Sequence, residues 1–134
     1  MKEALLIALL SASAAAFAAT PQQMIDGYAA EAARQSSGFQ PSARRGAEFY
    51  ARRFAVSDKM PACTACHTDS PAKPGQHAVT GKAIKPLAPR AEVARFTDPA
   101  KTEKWFRRNC TEVLGRECSA AEKADFILFL TEGL

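Results

Sequence analysis

Between Met60 and Pro99 lie six of the chain's eight prolines, at positions 61, 71, 74, 86, 89 and 99, together with Gly75 and Gly81. Each proline fixes φ and removes a backbone donor, so neither a long helix nor a sheet can run through this stretch. A compact domain does not ordinarily hold so long a loop. In a chain of 134 residues, such a middle becomes reasonable if it wraps something other than protein, with the flanks supplying the frame.

The flanks read as helices. Thr20-Pro21-Gln22-Gln23 offers a hydroxyl cap, a proline in the first turn and a glutamine at the third position, and Met24, Ile25, Tyr28, Ala29 and Ala32 follow at helical spacing before Gly38. A second helix starts at Ser42, with Gly46, Phe49, Tyr50 and Phe54 on one side and Arg44, Arg45, Arg52 and Arg53 toward solvent. Asp98-Pro99 opens a third through Trp105 and Phe106 toward Asn109. Ser119-Ala120-Ala121-Glu122 is a capping box ahead of Ala124, Phe126, Ile127, Leu128, Phe129 and Leu130. No run of alternating β-branched residues appears. The expected class is all-α, about four short helices around a proline-rich middle.

Within that middle stands Cys63-Thr64-Ala65-Cys66-His67. Cys-x-x-Cys-His reads as a c-type haem attachment site. Two thiols on one turn can meet the two vinyl groups of one porphyrin edge, and the adjacent imidazole becomes the proximal ligand of the iron. A thioredoxin-like redox pair wants a βαβ context, a zinc site wants a second close pair, and a disulfide across two residues is strained. One motif implies one covalently attached haem c, which also supplies the apolar core that so small a domain lacks.

The other axial position stays open at this level. Met60 lies too close to Cys63 to cross the porphyrin, and Met24 sits on the apolar side of the first helix, where core filling is the plainer role. His77 follows Pro74-Gly75, the signature of a surface turn, and is near enough to His67 in sequence to remain on the proximal side. A six-coordinate electron carrier using His77 or Met24 is the rival to any open-site reading. Asn109, from pattern alone, is a helix C-cap.

Residues 1–18 read as a signal peptide: Lys2, an apolar run from Ala4 to Leu10, then Ala16-Phe17-Ala18 before the cut. The run is too short to span a bilayer. The expected organisation is residues 1–18 as signal peptide, 19–41 as an N-terminal helical extension and 42–134 as the main domain, exported to the periplasm. In that oxidising compartment the two remaining thiols, Cys110 and Cys118, default to a disulfide contributing about 2.5 kcal/mol by loop closure. The formal net charge is +4 and the pI about 9.0. That suits steering of an acidic redox partner. No basic and aromatic residues alternate on a strand, so nucleic acid is not an expected partner.

Tyr50, Cys63–His67, Thr80-Gly81-Lys82, Pro86-Leu87-Ala88-Pro89, Arg95-Phe96-Thr97-Asp98-Pro99 and above all Trp105-Phe106-Arg107-Arg108-Asn109-Cys110 together resemble the small high-spin, oxygen-binding class I cytochromes c of the sphaeroides haem protein type. The resemblance runs from about Ser42 to the C-terminus. It implies a class I cytochrome c-like fold, His67 as proximal ligand, Asn109 as a weak distal ligand that leaves on reduction to admit oxygen, carbon monoxide or nitric oxide, and Cys110–Cys118 as the family's distal disulfide. Arg107, Arg108, Lys82, Lys85 and Arg90 become candidates to neutralise haem propionates. The implied partners are a dihaem cytochrome c and a membrane cytochrome b. No Arg/His pair stands as at a peroxidase distal side, so binding and electron acceptance are expected and turnover is not implied.

Overall fold

The computed structural model describes residues 18–133, so the signal-peptide reading falls outside the described residues except at Ala18. Five helices carry the frame: α1 (Pro21–Gln35), α2 (Ala43–Ala51), α3 (Thr64–His67), α4 (Pro99–Leu114) and α5 (Ala120–Glu132). A two-residue ribbon, β1 (Gly75–Gln76) with β2 (Ala83–Ile84), pairs antiparallel inside the proline-rich stretch, Gly75 opposite Ile84. The class is all-α as expected, with that ribbon as an addition too short to leave a period-2 signature.

Helix starts follow the sequence. Thr20 and Gln23 form a reciprocal capping box, as do Ser119 and Glu122, while Ser42 and Asp98 accept from the third residue of their helices. Ends differ. α2 stops at Ala51, leaving Arg52, Arg53 and Phe54 beyond it. α4 does not stop at Asn109 but continues to Leu114, where Gly115 takes the left-handed conformation at φ 71°. The reason is burial: Thr102, Phe106, Cys110, Val113 and Leu114 form one unbroken apolar face, and the helix ends only where the face does.

The core joins α1, α2, α4 and α5 through Met24, Ile25, Phe49, Tyr50, Phe106, Phe126, Ile127, Phe129 and Leu130 among others. α1 therefore shares one core with α2, α4 and α5. At its edge a partly buried polar cluster ties three helices. Lys123 Nζ donates to Glu103 at 2.7 Å, Tyr28 Oη donates to the other oxygen of the same carboxylate at 2.7 Å, and Lys123 sits 5.2 Å from the Tyr28 ring centroid.

α2 crosses α5 at Gly46. A Cβ there would run into the Asp125 backbone carbonyl and lie 2.8 Å from Phe129 Cβ. The Asp125 carboxylate, 5% exposed, closes the pair: it accepts from the Ser42 backbone N–H (2.7 Å) and from Arg45 Nε and Nη2 (2.7 and 2.8 Å). Gly46→Ala is expected to destabilise the protein by roughly 1–3 kcal/mol through overpacking, read from guanidinium denaturation. An unchanged midpoint would mean the crossing has slack.

Candidate haem site

The attachment motif folds as a single turn. Cys66 and His67 N–H groups both donate to the Cys63 carbonyl (3.3 and 3.0 Å), and Thr68 N–H donates to Thr64 O at 3.0 Å. Thr68 then reverses the chain with φ 62°, a left-handed value that a β-branched residue seldom adopts. A turn of four residues does not stand alone, and three neighbours hold it. From the core, Tyr50, 3% exposed, donates its hydroxyl to the carbonyls of His67 (3.1 Å) and Thr68 (2.6 Å). From the ribbon, Gly75 backs onto the turn so closely that a Cβ would collide with the Cys66 carbonyl and approach His67 Cα to 3.1 Å. Beyond it, Ala78 N–H donates to Cys66 Sγ at 3.2 Å. The sequence marked Gly75 only as part of a surface turn. Its steric role leaves no local signal, because the residues it meets are eight and nine positions away.

The electrostatics separate the possible chemistries. Burial pushes the Cys63 thiol up to about 11, away from the thiolate that a redox-active Cys-x-x-Cys pair needs. Cys63 and Cys66 are both free, whereas Cys110 and Cys118 are joined by a disulfide with Cα atoms 5.6 Å apart. The second thiol pair is thus unavailable to zinc. Burial pushes the His67 imidazole down to about 4, and the charges of Arg95 and His77 add to the effect. It is neutral at pH 7, as an iron ligand must be, and its ring makes no hydrogen bond among the described residues. Two unjoined thiols on one turn with a neutral, unengaged imidazole beside them fit a covalently bound haem, with Cys63 and Cys66 as its attachment points and His67 as the iron's protein ligand.

Arg95 is the cation nearest to mattering here. Half-buried, it donates Nε to Pro86 O and Nη2 to Lys85 O, each at 2.7 Å, pinning the loop after β2. The sequence offered Arg107, Arg108, Lys82, Lys85 and Arg90 for propionates; Arg107 is exposed and Arg108 is paired with Glu112 at 3.1 Å. Lys85 is paired with Glu92 at 2.8 Å, and Lys82 and Arg90 are exposed.

The sixth-ligand candidates separate in space. Met24 is 8% exposed within the core, and Met60 is half-buried against it. His77 Nδ1 accepts from the backbone N–H groups of Val79 and Thr80 at 3.2 Å each, which makes it the organiser of the turn between β1 and β2. Asn109 is exposed inside α4, six residues before the left-handed Gly115, so the helix C-cap reading does not hold. Trp105, one turn earlier on the same face, is 41% exposed. Cys110 points the other way, buried at 5%, and its disulfide to Cys118 anchors the last turn of α4 to the start of α5.

An all-α frame built around one Cys-x-x-Cys-His turn defines a monohaem c-type cytochrome. Residues 36–130 match the model of a domain of unknown function, DUF1924. The chain is 42% identical over 127 residues to the cytochrome c-type protein SHP of Cereibacter sphaeroides, covering 94% of each, and 48% identical over 91 residues to cytochrome c'' of Methylophilus methylotrophus, a match spanning 67% of this chain and 63% of that protein. Among solved structures it resembles oxidised SHP, described as an oxygen-binding cytochrome c (TM-score 0.77, 41% identity, 84% of this chain and 96% of that one). It also resembles oxidised cytochrome c'' (TM-score 0.76, 40% identity, 82% and 91%). The chain belongs to this family of SHP and cytochrome c'', whose members carry covalently attached haem c.

Removing one hydroxyl should test the proximal support. Tyr50→Phe leaves two carbonyls behind the haem turn without their donor and is expected to cost about 1–3 kcal/mol, with the haem still attached, measured by denaturant titration of the holoprotein. Gly75→Ala is expected to do more to the site than to the fold. It should lower the yield of haem-loaded protein, read from the ratio of haem absorbance to protein.

Proposed function

We propose that this cytochrome accepts electrons and reversibly binds a diatomic gas, O2, NO or CO, with Asn109 as a sixth ligand that departs on reduction. Haem iron, held by His67 when bound, would supply one-electron chemistry and a place for a diatomic ligand. The observation that carries the reading is the placement of Asn109: an exposed amide in the interior of a long, disulfide-anchored helix, making no side-chain hydrogen bond among the described residues. A neutral amide oxygen is a weak donor, so little is lost when it turns away. The rival ligands lie elsewhere, Met24 in the core and His77 in the turn between β1 and β2 with Nδ1 engaged. The likeness to SHP, an oxygen-binding cytochrome c, and to cytochrome c'', whose solution structure is described in terms of haem-ligand detachment (TM-score 0.73, 40% identity), supports the same reading.

The setting we propose is the periplasm, with a dihaem cytochrome c and a membrane cytochrome b as electron partners. Two features agree with that setting. The Cys110–Cys118 disulfide suits an oxidising compartment, and no helix among the described residues is long and apolar enough to cross a membrane.

Visible spectra of the holoprotein, oxidised and anaerobically reduced, before and after carbon monoxide, test the proposal. A high-spin reduced form that shifts on adding the gas is expected. A low-spin reduced form indifferent to it would return the protein to plain electron transfer. Asn109→Ala should alter the ferric spectrum while leaving the fold intact by circular dichroism, and an unchanged ferric spectrum would remove Asn109 as a ligand. Replacing Cys110 and Cys118 together by serine should cost about 2.5 kcal/mol of stability.

A further inference from the structure

α4 carries Asn109, so whatever fixes α4 also fixes the candidate ligand. The apolar face of the helix, Thr102, Phe106, Cys110, Val113 and Leu114, is drawn to the core by burial, which is non-directional. Two directional ties are added to it. One is the disulfide from Cys110 to Cys118, just ahead of α5. The other is Glu103. One oxygen of its carboxylate accepts from Lys123 Nζ on α5 and the other from Tyr28 Oη on α1, each at 2.7 Å. Among the described residues, the other side-chain hydrogen bonds of α4 stay within the helix and its cap: Arg108 to Glu112, Thr111 to Arg107, and Lys101 to Asp98. Glu103 is the side chain of α4 that reaches two other helices.

Its partners are themselves held. Lys123 is 9% exposed and lies 5.2 Å from the Tyr28 ring centroid and 5.9 Å from that of Phe106, while Phe106 meets Tyr28 edge-on at 5.9 Å. Burial alone would raise the Glu103 carboxyl, but the hydrogen bonds from Lys123 and Tyr28 outweigh it and hold the group below the usual carboxylate range. Both bonds are therefore charge-assisted at pH 7. A partly exposed ion pair contributes little to stability. A carboxylate triangulated from two helices contributes position.

Cys110 lies seven residues beyond Glu103, two turns along the same side of α4. Asn109 lies six residues beyond it, about 9 Å along the axis and about 120° round it. A side-chain tip stands roughly 5–6 Å from a helix axis, so turning α4 by about 10° would move it by about 1 Å. A ligand constellation tolerates only about 0.5 Å. We propose that Glu103 is a positioning residue for the distal side: by joining α1 and α5 across α4 it fixes the rotation of that helix and holds the Asn109 amide within reach of the haem iron. This deepens the reading of Asn109 as the sixth ligand and rests on it. Glu103 acts only through the helix. Release on reduction is then a movement of the Asn109 side chain, with α4 staying in place.

Cyanide binding to the ferric holoprotein, followed by stopped flow, tests this, because cyanide must displace the amide and its rate reads how firmly Asn109 is held. Glu103→Gln keeps the shape and removes the charge. It should add high-spin character to the ferric spectrum and speed cyanide binding severalfold, and Tyr28→Phe should do the same to a smaller extent. In an Asn109→Ala background, Glu103→Gln should add nothing. Gln23→Ala breaks the capping box of α1 and is the control for plain loss of stability; it should leave the cyanide rate unchanged. A Glu103→Gln protein with a lower denaturation midpoint but the parental cyanide rate would make the carboxylate merely structural. Equal acceleration in Gln23→Ala, or in the Asn109→Ala background, would mean that the effect does not pass through Asn109. Each of these overturns the proposal. If Asn109→Ala itself kept the parental ferric spectrum, the ligand assignment would fall and the positioning role with it; an altered Asn109→Ala beside a silent Glu103→Gln would remove the positioning role alone.

Discussion

The close approach of α2 to α5 at Gly46 is the contact on which the haem turn ultimately rests. With no side chain at that position the two backbones meet at the Asp125 carbonyl, and the Asp125 carboxylate takes three donors from α2 and its N-cap. A buried carboxylate with every donor supplied fixes geometry. Stripped of one it is costly, so the arrangement is all or nothing. α2 held in this way delivers Tyr50 from the core to the carbonyls of His67 and Thr68. His67 is thereby placed by the crossing of α2 over α5.

The two sides of the site are built on different terms. The proximal side is assembled from short pieces: one turn of α3, a two-residue ribbon and a loop pinned by Arg95. Each is too short to be stable alone, and each is held by contacts to the others. The side bearing Asn109 is one sixteen-residue helix, buried along one face and anchored at its end by a disulfide. A ligand that stays is served by a crowded surround. A ligand proposed to leave is served by a rigid helix carrying a side chain free of other partners.

Electrostatics follow the same division. Buried charges are neutralised within the fold, Lys123 by Glu103 and Asp125 by Arg45, because an unpaired buried charge would be costly. The cations left over lie on the surface. On α4, Lys104 and Arg108 flank the sole tryptophan.

The sequence by itself determined what depends on neighbours within about four residues. Both capping boxes, the Ser42 and Asp98 caps and the Cys-x-x-Cys-His turn were all legible, because backbone geometry sets those spacings wherever the segment lands. The proline-rich middle likewise announced that something other than protein occupies the centre. Only the tertiary structure decided the rest. The contact of Gly75 with the haem turn, the grip of Arg95 on Lys85 and Pro86, the Arg45–Asp125 pair eighty residues apart and the inclusion of α1 in the core all depend on where elements meet. Asn109 shows the divide most clearly. Local pattern makes it a helix end. The buried face running on through Val113 and Leu114 makes it an exposed position in the middle of a helix, because burial rather than the nearest stop signal determines how far a helix runs.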